Sequence, residues 1–97
     1  MPDHDDLLTV LRSPHLIEEL AAVEHDRWSH WQRYLHTRCE PGPDDGSLTI
    51  PPDLVRQWTT QMNTPYAELS EKEKASDREQ VHRYLPIIAA AFNADRA

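Results

Sequence analysis

From Pro14 to Thr37 the chain carries one sustained helical pattern, and this stretch constrains the fold more than any other. Apolar side chains at Ile17, Ala21, Trp28, Trp31 and Leu35 recur at spacings of three, four and seven, which places them on one face of a helix. Leu20, Val23 and Tyr34 widen that stripe along a second edge. Ser13-Pro14 supplies the start. Serine is a good N-cap, and proline is tolerated at the first helical position because its missing N–H would have no partner there.

The rest of the chain is read around this helix. DDLLTVLR, residues 5–12, predicts a short helix inside an N-terminal segment, 1–13. EPGPDDGS, residues 40–47, holds both glycines and two of the eight prolines, and so predicts a loop. LTI then predicts a brief extended piece. Pro51-Pro52 opens a further helix, PDLVRQWTTQM, with Leu54, Val55, Trp58 and Met62 as its expected buried side, and Asn63-Thr64-Pro65-Tyr66 ends it. Ser70 begins the last helix. Ser-Glu-Lys-Glu at 70–73 has the form of a capping box, and early acids suit the positive end of the helix dipole. Val81, Leu85, Ile88, Ala89 and Phe92 form the expected stripe. It keeps register through Pro86, which predicts a kink rather than a break. Residues 94–97 are expected to fray. The fold class is therefore mainly α: a small bundle of three to four helices with little or no sheet. Residues 14–93 form the single domain expected of 97 residues.

Charge and cysteine content exclude several roles. The formal charge of −7 repels a phosphate backbone at long range, so no nucleic-acid polymer is expected as partner. One small phosphorylated ligand in a local basic pocket is still compatible. Cys39 is the sole cysteine, so no intramolecular disulfide forms, as in a reducing compartment. No apolar run approaches the ~20 residues of a membrane span. The N-terminus, MPDHDDLL, lacks the basic start of a signal peptide. A cytoplasmic location without membrane contact is expected.

Two clusters carry candidate chemistry. In EHDRWSHW, residues 24–31, Glu24 shares the stripe of Trp28 and Trp31. A carboxylate on a core face is costly unless paired, and Arg27, Arg78 or a backbone amide is the expected partner. His25 lies one turn before Trp28. These groups either satisfy one another, or Trp28 is a stacking platform flanked by His25 and Arg27. In the second cluster, Lys74 and Arg78 are four residues apart on one helix face, with Asp77 beside them. Two cations there suit a phosphate, or equally tie the chain down through Glu24, Glu68 or Asp77. Asp26 and His30 have metal-ligand spacing but no visible third ligand, so no metal site and no cofactor are expected. Nothing lowers the pKa of Cys39, and neither a phosphate loop nor a nucleophile elbow occurs. No catalytic residue is assigned, and the chain is not expected to be an enzyme.

Taken in order, LAAVEHDRW (20–28) and PYAELSEKEKASDREQV (65–81) resemble the RyR domain. This small repeat was first described in ryanodine receptors and also occurs as short proteins in bacteria and phages. The family pattern has a His three residues before a Trp on a long helix, matched by His25 and Trp28. It continues with Pro-Tyr, a Leu three residues on, then Glu-Lys and Asp-Arg. Pro65-Tyr66, Leu69, Glu73-Lys74 and Asp77-Arg78 match these. The resemblance spans about residues 17–92. It departs after the first long helix, where LHTRCEPGPDDG stands in place of the family's Gly-Trp and Tyr-Gly; either Trp31 and Trp58 replace that packing or the pocket is reshaped.

The resemblance implies a ligand-sensing module rather than a catalyst. In ryanodine receptors such repeats bind adenine nucleotides, with a Trp at the position of Trp28. By that likeness the ligand here is a nucleotide or nucleotide-derived signal, with its base on Trp28 and its phosphates near Arg27, Lys74 and Arg78. Glu24, His25, Trp31, Tyr66 and Asp77 complete the expected site. The alternative is a protein–protein interaction or accessory module with no small ligand. Receptor repeats act in pairs, and so short a chain buries only a modest core. A homodimer is the expected assembly.

Overall fold

The computed structural model describes residues 4–96, and side chains from 5 to 94. Residues 1–3 of the expected N-terminal segment and Ala97 of the expected frayed tail lie outside the described residues. The architecture is mainly helical. Helix α1 is His4–Leu11, α2 Pro14–Arg38, α3 Pro52–Met62 and α4 Glu71–Arg96. A two-strand hairpin, β1 Glu40–Pro41 and β2 Leu48–Thr49, lies between α2 and α3. Its register is antiparallel, with Glu40 opposite Thr49 and Pro41 opposite Leu48. One turn of 3-10 helix, Tyr66–Glu68, precedes α4. The described chain divides into two compact units. One contains α1, α2 as far as Arg27, and α4 from Ser76; the other runs from Trp28 to Ala75.

In the first unit, α2 begins where Ser13-Pro14 predicts. Leu16 N–H donates to Ser13 Oγ at 3.4 Å, and Ile17 N–H donates to the Ser13 carbonyl at 3.1 Å. The buried residues are Val10 and Leu16, and Leu16 is only 1% exposed. The expected stripe began at Ile17, which is 49% exposed. The buried face at this end of α2 is thus turned by one residue, or about 100°. Val10 and Leu16 flank the tight turn at Arg12-Ser13, and that turn, rather than the long-range periodicity, selects which side is covered.

Helix α4 needs a similar correction. From Gln80 onward its half-buried positions are Gln80, Tyr84, Ile87, Ile88, Ala91 and Phe92, while Val81, Leu85 and Ala89 are exposed. Ile88 and Phe92 belong to the expected stripe; the remainder is rotated. Both faces carry apolar residues at helical spacing, so periodicity admits two solutions. The helix passes through Pro86 as one element and continues to Arg96.

In the second unit, Leu54 is buried and Trp58 half-buried, as expected of α3. Val55 and Met62 are not buried, and Met62 is 74% exposed. They are seven residues apart on one face of α3, and both are exposed. In the hairpin, Gly46 adopts φ +82, a left-handed conformation that other residues enter only with strain. A Cβ at Gly42 would collide with the Ser47 side chain. Pro41 has no N–H to donate, which a two-residue edge ladder tolerates.

The capping box of α4 is fully formed. Ser70 Oγ accepts the Glu73 amide at 3.2 Å, and Glu73 Oε1 accepts both the Ser70 amide at 3.2 Å and the Ser70 hydroxyl at 2.8 Å. Replacing Ser70 by Ala is expected to cost about 1 kcal/mol. Leu16→Ala is expected to cost about 2–5 kcal/mol, and Ile17→Ala no more than about 0.5–1 kcal/mol. Urea unfolding of the three variants checks this order. An Ile17 variant as damaging as the Leu16 variant would restore the sequence-predicted stripe.

Candidate functional site

Five of the nine candidate residues lie on consecutive turns of α2. Arg27 Nη2 donates to Glu24 Oε2 at 3.4 Å, three residues back. Arg27 is therefore the partner that pairs with Glu24. The setting differs from the expected one, because Glu24 is exposed rather than set in a core face. Burial imposes no penalty on it, and an exposed pair of this kind contributes only ~0–1 kcal/mol. His25 is exposed one residue along. Trp28 is 60% exposed.

Trp31 is the centre of an aromatic cluster. Its ring centroid lies 5.5 Å from Tyr34 at an interplanar angle of 34°, and 5.5 Å from Trp58 at 67°. The second contact is an edge-to-face arrangement, which suits the positive edge and negative face of two indoles. Trp58 belongs to α3, so this contact fastens α3 to the C-terminal half of α2. Even so, Trp31 remains 43% exposed and Tyr34 45%. Trp28, Trp31 and Tyr34 are spaced by three and form an aromatic band on the helix surface.

The remaining four candidates follow Pro65. The 3-10 turn is closed by Glu68 N–H donating to the Pro65 carbonyl at 2.9 Å and Leu69 N–H to that of Tyr66 at 3.1 Å. It presents Tyr66 beneath Lys74, whose Nζ stands 5.8 Å from the ring centroid. That is near the outer limit of a cation–π contact. Lys74 is half-buried, whereas Asp77 and Arg78 are exposed on α4.

The structure thus joins Glu24 to Arg27 and Tyr66 to Lys74. Glu24, His25, Arg27, Asp77 and Arg78 fall in one unit, and Trp28, Trp31, Tyr66 and Lys74 in the other. Sequence reasoning gave Tyr34 and Trp58 no part in the site, although both contact Trp31. Tyr34 was legible at three residues from Trp31. Trp58 was named with Trp31 as packing in place of the family's missing aromatics, but periodicity within one helix does not say that the two rings meet.

Among the described residues no three His, Cys, Asp or Glu side chains gather as metal ligands. Cys39 is half-buried and unpaired with another sulfur. No helix of the described residues is long and apolar enough to cross a membrane. Comparison with known proteins finds no family model, curated protein or solved structure that matches the chain.

Among the described residues, Asp45 has a displaced titration. Hydrogen bonds from the Ser47 side chain and the Ser47 amide, the latter at 2.9 Å, hold Asp45 below its ordinary value of 3.8. Its stabilising effect on the hairpin is complete above that value and is lost as pH falls through the lowered one. The Ser47 amide resonance is expected to stay constant from neutral pH down to the ordinary carboxylate range and to move only below it. A midpoint at or above 3.8 would contradict the assignment.

Proposed function

We propose that the chain is a non-enzymatic binding module of RyR type that recognises a nucleotide or nucleotide-derived signal. The observation that carries the reading is the 60% exposure of Trp28, which leaves much of a large indole open to a planar base. Arg27 is the adjacent residue on α2, and its exposed pair with Glu24 is weak enough for a phosphate to displace. The family likeness adds Lys74 and Arg78 as further phosphate partners and counts His25, Tyr66 and Asp77 among the expected site residues. Stacking alone is worth ~1–3 kcal/mol per base, short of the ~4 kcal/mol that corresponds to millimolar affinity. The cations therefore supply the remainder. The reading gives Glu24 and His25 no catalytic role. It places the protein in the cytoplasm, in keeping with its single cysteine.

A second reading, a protein-interaction module without a small ligand, is favoured by a different observation. Val10, Leu16 and Leu54 are the buried hydrophobic residues, while Trp31, Tyr34, Val55, Met62, Val81 and Leu85 are all exposed. Contiguous exposed apolar surface beyond a few hundred Å² marks contact sites, and each unit exposes large apolar side chains of its own.

A thermal-shift panel of adenine and guanine nucleotides, cyclic nucleotides and ADP-ribose-type compounds separates the two. A ligand at one hundred times its Kd stabilises the native state by about 2.7 kcal/mol, a shift of several degrees for a domain this size. The rise is expected with the wild-type chain and absent with Trp28→Ala, whose exposed position leaves folding intact by circular dichroism. No shift with any compound would leave the interaction reading in place of the ligand one.

A further inference from the structure

We propose that the Asp45-Gly46 bond in the hairpin turn is a self-modification site, where the Asp45 side chain closes on the Gly46 nitrogen and the resulting succinimide opens to isoaspartate. An Asp or Asn side chain can close a five-membered ring on the nitrogen of the next residue. That nitrogen is least shielded when the next residue has no Cβ. Of all the Asp and Asn residues in the chain, Asp45 alone precedes a glycine.

The turn meets the steric needs of the closure. Asp45 and Gly46 are both exposed, and a Cβ built on Gly46 would meet nothing within 4 Å. The Ser47 amide donates to Asp45 Oδ1 at 2.9 Å. A side-chain bond to the backbone two residues on is an Asx-turn, and it folds the carboxyl back over the peptide that holds the Gly46 nitrogen. In the first step that nitrogen gives up its proton and attacks Cγ of the neutral carboxyl. A C–N bond forms, a C–O bond breaks, and the hydroxyl leaves with a proton as water. Water from solvent then adds to one imide carbonyl. Opening on one side restores aspartate; opening on the other routes the main chain through Asp45 Cβ and Cγ. Nothing is oxidised or reduced, and the product has the mass of the starting chain.

Ser47 both orients this carboxyl and restrains it. The bonds from its hydroxyl and amide favour the carboxylate ion, which is the poor electrophile, so closure proceeds only through the small neutral fraction. The modification therefore accumulates slowly. Its product lengthens the main chain of the turn by one atom and takes Oδ1 away from the Ser47 amide. The turn has no slack for that atom. Gly42 N–H donates to the Ser47 carbonyl at 2.7 Å, next to the Pro41–Leu48 pair of the ladder, and the Ser47 side chain lies close against Gly42. Isoaspartate at this position thus loosens the hairpin between α2 and α3. The chemistry needs neither a nucleotide nor a protein partner.

Peptide mapping of the full chain after ageing in neutral buffer tests the site. Trypsin releases residues 39–56, which contain Asp44, Asp45 and Asp53, and electron-transfer fragmentation tells isoaspartate from aspartate at each of them. The wild type is expected to accumulate isoaspartate at Asp45 and not at Asp44 or Asp53. Asp45→Glu, whose closure needs a six-membered ring, is expected to lose the signal while circular dichroism stays unchanged. Ser47→Ala keeps the amide donor and removes the hydroxyl. It is expected to speed the reaction by the factor by which it lowers the Asp45 acidity constant, measured by carboxyl NMR on both proteins. The Gly42 and Ser47 amide resonances are expected to move in step with the isoaspartate fraction. A wild type with no more isoaspartate at Asp45 than at Asp53 overturns the proposal, as does a signal that persists at position 45 in Asp45→Glu.

Discussion

The edge-to-face contact between Trp31 and Trp58 is the contact on which the unit from Trp28 to Ala75 depends. It links α3 to α2 across a stretch that contains the hairpin, both glycines and four of the prolines. None of those connecting residues supplies a buried side chain, and Leu54 is the one buried hydrophobic of the unit. An aromatic pair of this geometry contributes about 0.5–1.5 kcal/mol beyond its burial. That is a substantial share where so few other apolar groups are covered. The same contact positions the exposed aromatic band of α2. It covers part of Trp31 and leaves the remainder, with much of Trp28 and Tyr34, exposed.

A small buried core and an exposed aromatic band belong together physically. Covering large apolar side chains is the main favourable term in folding, and here Ile17, Trp28, Met62, Val81 and Leu85 contribute little of it within the chain. Local devices instead secure the helix ends, the Ser13 cap on α2 and the Ser70–Glu73 box on α4, and the tight turn around Gly46 closes the hairpin. Such devices fix the helices without using their apolar faces. The faces remain available to a planar ligand or to a second protein surface.

Helix placement was largely legible in the sequence because its signals are local. Ser13-Pro14, the glycine-bearing loop at 40–47, Pro51-Pro52 and the capping box each mark a boundary within a few residues, and the helices begin and end close to them. Burial was less legible. Leu16 rather than Ile17 is covered, and Tyr84 rather than Leu85 is half-covered, because a one-residue rotation of a helix preserves its periodicity while changing its buried set. Glu24 was expected on a core face and is on an exposed one, although its pairing with Arg27 was among the expected partners. The Tyr66–Lys74 contact joins two members of the expected site. It arises because the 3-10 turn brings the tyrosine back toward the first turns of α4. The Trp31–Trp58 pairing was hidden from any argument confined to single helices.

The claim that the α2 face bearing Trp28 is a recognition surface is tested most directly by the three indole N–H resonances of the proton–nitrogen spectrum. They would be followed first as protein concentration rises and then as an adenine nucleotide is added. The account predicts that the Trp28 and Trp31 signals move and that Trp58, tucked against Trp31, moves far less. A Trp28 signal unmoved by either titration would contradict it.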